Sequence, residues 1–308
     1  MIKRYVLGRL AQGIIVLFGA VAISFLLTNV IGKPADVLGG DSLTPAQRAV
    51  LNAKLGYDRP MPERFLSFLE GVVTGDFGKS YRTDDSAIGL VLRALPNTLV
   101  LVLLAMALAV LIAVLLAIFS VRHRERRSDR LLRRVIGVLQ GMPEFWLALM
   151  MILLFSVQLR LFPSFGFYST SSLILPVVSL AIPMVPMLFR IVRGQLLDVL
   201  SGEFVDAMRA RGLTERFILY RHVLPNTAGP SATFGALQLG HLIGGSLIVE
   251  TIFSWPGIGN LTVSAVQARD FTVVQTVIII VATFYVLLNL AADLIVLAAD
   301  PRVRVGVS

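Results

Sequence analysis

Long apolar runs, not short alternating ones, dominate this chain. Six stretches stand out, at 10–31, 98–119, 135–157, 173–192, 232–253 and 273–298. They are 20 to 26 residues long, and their 135 residues include only four charged ones. A helix rises about 1.5 Å per residue, so about 20 such residues cross the hydrocarbon layer of a bilayer. Transmembrane barrels would instead show segments of about 10 residues alternating in polarity. The pattern therefore predicts an all-α polytopic membrane protein with six transmembrane helices.

The first run follows Lys3, Arg4 and Arg9, like the basic start of a secretory signal. Its apolar core exceeds the about 7 to 15 residues of a signal, and no small-residue cleavage site closes it. It reads as an uncleaved first span, giving a first segment 1–31. Residues 32–97 are too long for a plain connection and carry helix signals of their own. Thr44-Pro45-Ala46-Gln47 is a capping box with proline at the first helical position, and Gly56 is a natural stop. A second short helix is expected from Pro62 to Thr74, with Phe65, Leu69 and Val72 on one face and Gly75 ending it. This predicts a folded external cap at 32–97, followed by a five-helix core at 98–298 and a short tail at 299–308. Gly75-Asp76-Phe77-Gly78-Lys79-Ser80 resembles the end of a phosphate-cradling loop, but Val73 stands where that loop needs glycine. It is rejected as a nucleotide site. No internal repeat is visible.

Composition agrees with the pattern: 56% of residues are hydrophobic and 15% charged, against about 45–50% and about 25% in soluble domains. A soluble enzyme and a disordered chain are excluded. The net charge of +9 is unevenly placed. Segments 1–9, 120–134, 193–231 and 299–308 share one side if six spans alternate. Seven arginines lie between Arg122 and Arg134, whereas 32–97 holds eight basic and eight acidic residues. By the positive-inside rule both termini are expected in the cytoplasm. The basic balance then reflects topology, and no nucleic-acid partner is expected. The chain has no cysteine, which removes disulfides and thiolate metal sites.

The connection 193–231 carries the most information. Its first half is a good helix former that stops at Gly212, where a residue without Cβ adopts the left-handed conformation after a helix end. Thr214 can cap a second helix, in which Phe217, Tyr220 and Leu224 share a face and Pro225 helps to end it. Two short helices joined by a tight bend fit three readings: a docking element for a partner, a helix pair on the headgroups, or a DNA-reading helix-turn-helix. The residues alone leave these open, although six basic residues, counting Arg190 just before the connection, against four acidic ones is a poor phosphate footprint.

Spacing adds a resemblance. Asp206-Ala207-Met208, three residues, Gly212, nine residues, then His222-Val223-Leu224-Pro225 is similar to the Glu-Ala-Ala loop of ATP-binding-cassette importer permeases. That pattern reads Glu-Ala-Ala, three residues, Gly, nine residues, Ile, any residue, Leu-Pro. Asp, Met and His depart from it here; Gly212, Leu224 and Pro225 are in register. The likeness to the dipeptide/oligopeptide branch runs along nearly the whole chain. It includes Gly75-Asp76-Phe77-Gly78-Lys79-Ser80-Tyr81-Arg82, Leu95-Pro96-Asn97-Thr98-Leu99 and Pro143-Glu144-Phe145-Trp146-Leu147-Ala148. Further on come Leu161-Phe162-Pro163-Ser164-Phe165-Gly166, Leu173-Ile174-Leu175-Pro176 and Asp300-Pro301-Arg302. The strongest stretch is Gly244-Gly245-Ser246-Leu247-Ile248-Val249-Glu250-Thr251-Ile252-Phe253-Ser254-Trp255-Pro256-Gly257-Ile258-Gly259. Gly32-Lys33-Pro34-Ala35-Asp36 departs from the family's Pro-Gly-Asp-Pro.

The resemblance implies a type I ABC importer permease (MetI-like) fold and a non-catalytic subunit in a bacterial cytoplasmic membrane. Implied partners are a second homologous permease subunit, two ATPase domains that hold ATP and magnesium, and an external solute-binding protein or lipoprotein. The implied cargo is a peptide, with nickel or haem as alternatives; the competing reading, outside the resemblance, is an ion-coupled secondary transporter that needs no ATPase. Contact with the ATPase falls to Glu203, Asp206, Ala207, Met208, Ala210, Gly212, Leu213, Leu224 and Pro225. Polar residues inside spans are costly and default to functional hypotheses. Glu144 beside Pro143, Gln238 and His241 on one helical face, and Asn289 and Asp293 four apart on another are thus pathway candidates. Glu250 is a further one, expected to be solvated near the external boundary. The competing reading for each is an interhelical hydrogen bond. With His123, His222 and His241 the only histidines, no metal site is expected.

Overall fold

A computed structural model describes residues 2–31, 44–54 and 58–299, almost all helical. The stop expected at Gly56, the corner 32–36 and the Asp300-Pro301-Arg302 tail lie outside the described residues. Among the described residues four helices are long and apolar enough to span a membrane, or five if one bent pair counts as a span. The chain divides into two compact units, 1–97 with 256–287, and 98–255 with 288–308.

In the first unit, α1 (Ile2–Ile31) leaves Ile14, Ile15 and Phe18 uncovered, as a lipid-facing surface requires. The capping box forms as expected at the start of α2 (Pro45–Lys54). The Gln47 backbone N–H donates to Thr44 Oγ1 at 3.3 Å, and the Thr44 N–H donates to Gln47 Oε1 at 2.9 Å. Next, α3 (Met61–Thr74) ends on Gly75 at φ +78°. The face carrying Phe65, Leu69 and Val72 is half-buried, and Phe65 packs edge-on against Phe25 of α1 with ring centroids 5.2 Å apart. The stretch rejected as a phosphate loop is a turn in which Asp76 accepts from the Gly78 N–H. Its Ser80 donates at 2.5 Å to Asp270, and Asp270 also accepts from the Val273 N–H. Two further helices complete this unit, α12 (Ile258–Gln267) and most of α13 (Phe271–Ala299). Ala87, Val91, Ile258, Ala265, Val273 and Val277 form its core.

The second unit is built on α4 (Ala87–Arg122), whose 36 residues start eleven before the predicted second span, with Pro96 inside the helix. Ala105, Ala109, Ala113 and Ala117 recur every fourth residue and are fully buried. Such a small-residue stripe lets neighbouring helices approach closely where lipid supplies no hydrophobic drive. The predicted third span is not one helix. It divides into α5 (Arg127–Gln140) and α6 (Glu144–Met151), the latter continued by a π-helical turn at Ile152–Gln158, and the two axes differ by 101°. Apolar length hid the break, but Gly141 and Pro143 carry its cause: a flexible joint beside a residue with no N–H to continue the ladder. The fourth span forms as α7 (Ile174–Ala181) and α8 (Val185–Leu200), with a 3₁₀ turn at Ile182–Met184 between them.

After α8 come α9 (Glu203–Ala210), α10 (Glu215–Ile218), a π-helical turn at Leu219–Val223 and α11 (Leu224–Ile252). Pro225 therefore does not end a helix. It sits in the first turn of α11, where the proline ring would crowd the carbonyl four residues back in a regular helix; the wider π turn relieves this. The predicted fifth span is thus the far part of a helix that starts eight residues earlier, and several of its side chains lie outside the described residues. Leu101, Leu180, Phe189, Leu196, Leu242, Phe253 and Trp255 centre the core.

Candidate functional site: a locked bend between α8 and α11

Each end of the bend is fixed by its own chemistry. Helix α9 starts from extended Gly202, with Glu203 and Asp206 in the first turn, where acids complement the helix dipole. It ends in a Schellman motif: the Gly212 N–H donates to Arg209 O at 2.9 Å and the Leu213 N–H to Met208 O at 3.2 Å. Gly212 takes φ +81°, and a Cβ added there would meet nothing within 4 Å. Glycine is needed for its backbone conformation, not for space. One residue past Leu213, the Thr214 hydroxyl accepts from the Phe217 N–H and caps α10.

Across the bend, the Arg209 guanidinium donates to Glu215 at 2.7 Å and to Asp206 at 2.9 Å. The hydrogen bond from Arg209 holds the Glu215 carboxyl below the ordinary carboxylate range. The same contact, with that to Asp206, pushes Arg209 further up. Beneath the surface Val205, Ile218 and Val223 are fully buried, with Leu219 beside them. Phe217 and Tyr220, expected to share a face with Leu224, are each 47% exposed, and Leu224 is half-buried. Apolar identity alone does not tell a packed face from an uncovered one. Phe204 and Leu213 are uncovered too, while Met208 is half-buried and Glu203, Asp206, Ala207, Ala210 and Pro225 are exposed. The bend is a rigid element with an aromatic, acid-flanked outer surface that this chain leaves open.

Its root is a charge cluster that the sequence pattern did not single out. Asp129 in the first turn of α5 is fully buried, accepts from the Ser120 hydroxyl at the end of α4, and pairs with Arg133 at 3.3 Å and Arg193 at 3.7 Å. Arg193 on α8 also donates to Ser120 at 2.7 Å. Asp129 was concealed among seven arginines read as topology. The available signal was a first-turn acid on a strongly amphipathic helix.

The pathway candidates separate. Glu144 opens α6, half-buried, with a carboxylate oxygen 3.2 Å from where a Cβ at Gly245 of α11 would stand. Gln238 is buried and donates to Met187 Sδ at 2.9 Å, whereas His241 is exposed, so the two do not share one environment. Their three-residue spacing brackets the edge of the buried face. Glu250, expected to be solvated, is fully buried: it accepts from Thr98 at 2.8 Å and from Ser246 at 3.1 Å. Asn289 is half-buried, and the side chain of Asp293 lies outside the described residues. Among the described residues, no group of three or more His, Asp or Glu side chains could hold a metal ion.

The chain as a whole is similar to known proteins. The family described as binding-protein-dependent transport system inner membrane component matches residues 109–305, and the N-terminal component of the same system matches 1–102. The chain belongs to this family of transport-system membrane components. It is 32% identical to a dipeptide transport system permease protein of Alkalihalophilus pseudofirmus, over 97% of this chain and 99% of that one. It is equally identical to a glutathione transport system permease protein of Escherichia coli, over 97% and 98%. Among solved structures, the MetNI methionine ABC transporter in an inward-facing conformation shares the fold, with a TM-score of 0.60, 21% identity, and cover of 68% of this chain and 96% of that one. In this permease family member the helical fold is thus of the MetI type, as the resemblance implied.

Proposed function

We propose that this chain is the permease subunit of an ATP-driven importer of dipeptides and oligopeptides. It works beside a second related permease subunit, receives cargo from an external solute-binding protein, and couples through residues 202–226 to two ATPase domains carrying ATP and magnesium. Both termini lie in the cytoplasm of a bacterium, and the membrane is the cytoplasmic one. The observation that carries the reading is the locked bend: two helices capped at both sides of Gly212, cross-tied by Arg209 and rooted by Asp129 and Arg193. A ligand or partner shifts a conformation only through contacts that differ between two states, and a rigid element passes such a shift on without absorbing it. Uncovered Phe204, Phe217 and Tyr220 supply the contact area, and α8 and α11, which flank the bend, supply the way into the membrane.

No catalytic side chain is needed here; the chemistry belongs to the ATPase. Peptide cargo is favoured over nickel or haem by the dipeptide and glutathione relatives. The test is reconstitution of the assembled transporter in proteoliposomes. Uptake of a labelled dipeptide should require ATP and the binding protein together. Uptake by this chain alone, without ATP, would overturn the proposal.

A further inference from the structure

Glu144 is the acid that the fold does not explain. Asp129, Asp270 and Glu250 are buried and each is met by hydroxyl or cationic partners. Glu144 is half-buried at the start of α6, yet among the described residues no donor or cation meets its carboxylate. Burying an ionised group without a partner is unfavourable, and more so in hydrocarbon.

Its position is also specific. The residue follows the break between α5 and α6 directly, so it lies at a corner of the chain and not along a packed helix face. Its carboxylate rests against Gly245, where any side chain would bring a Cβ to 3.2 Å of one oxygen. Neighbouring Gly244 is open, with nothing within 4 Å of its own Cβ position, and His241, one turn before Gly245, is uncovered. The arrangement is a carboxylate seated in a glycine notch, reachable from an unpacked stretch of α11.

Resting on the peptide-importer reading, we propose that Glu144 is a transient contact for the α-ammonium group of a peptide in passage. An α-amino group titrates near about 8, so it is mostly cationic at neutral pH. A carboxylate in a region of low dielectric attracts it more strongly than water would. The contact is brief because, among the described residues, a single acid borders the notch.

The experiment uses the complete transporter in proteoliposomes with its binding protein, trialanine as the probe, and a water-soluble carbodiimide. Activated by the carbodiimide, the Glu144 carboxyl would form an amide with the trialanine amine; the reagent leaves as its urea, taking up the oxygen and protons lost. The expected result is a trialanine adduct at Glu144 by mass spectrometry, dependent on ATP and absent with N-acetyl-trialanine. Glu144→Gln should lower trialanine uptake about tenfold, as expected for one lost charge-assisted contact, while Glu144→Asp retains most of it. Trialanine uptake with no adduct at Glu144, or equal uptake by Glu144→Gln and the unaltered chain, would overturn the inference. Loss of uptake in Glu144→Gln and Glu144→Asp alike, with no adduct in the unaltered protein, would do so too. Absence of ATP-driven trialanine uptake by the unaltered transporter would strike the importer reading instead.

Discussion

The Arg193 guanidinium on α8 lies 3.7 Å from the carboxylate of Asp129 on α5, and both are largely shielded, at 20% and 1% side-chain exposure. With Ser120 this pair ties α4, α5 and the middle of α8, the helix that leads into the bend. Asp129→Ala would strand the Arg193 charge. Breaking one side of a buried pair costs about 3–5 kcal/mol, whereas replacing both members by apolar residues is often neutral. A large fall in melting temperature is therefore expected for Asp129→Ala. The double variant Asp129→Leu with Arg193→Met should recover most of it. Thermal unfolding of the purified transporter checks both.

Glu215 gives a pH dependence with a definite sign. Its carboxyl is held below the ordinary range by the hydrogen bond from Arg209. A depressed folded-state value means the contribution is complete above the unfolded value of about 4.3 and is lost as pH falls through the lower folded one. Both side chains are well exposed, at 40% and 66%, so the effect is under about 1 kcal/mol. Glu215→Gln should exchange amide hydrogens faster than the unaltered chain over 203–218 at pH 6. That difference should shrink as pH falls below the ordinary carboxylate range.

Gly212 separates backbone strain from crowding. Left-handed conformation costs a residue with Cβ about 1–2 kcal/mol, and asparagine tolerates it best. Space around the position is open. Gly212→Asn should therefore keep uptake near its normal rate, while Gly212→Val should reduce uptake severalfold as ATP hydrolysis continues. Similar losses in both variants would point to crowding against a partner instead.

Glu250 accepts from Thr98 inside a fully buried site. Thr98→Val keeps the shape and removes the donor. Leaving a buried acceptor short of a bond costs about 1–3 kcal/mol, more when it is charged. The expected outcome is a lower melting temperature with the helical circular dichroism spectrum unchanged.

Much of this was legible because helix signals are local. Thr44 with Gln47, Gly75, Gly212 and Thr214 each do what their chemistry dictates, since caps and left-handed turns depend on neighbours in sequence. What was hidden depends on neighbours in space. Proximity to a span end suggested water around Glu250, but Thr98 and Ser246 enclose it. Pro225 looked like a stop and is absorbed by a π turn. Asp129 could not be told from its basic surroundings until Arg193, 64 residues later, was brought beside it.

The central claim is that the bend meets an ATPase. Because the chain contains no cysteine, Phe217→Cys can carry a single benzophenone probe on the uncovered face of α10. Illumination of the complete transporter in native membranes should yield one major adduct with an ATPase subunit, stronger or weaker as ATP is added. Adducts with lipid alone, unchanged by ATP, would contradict the account.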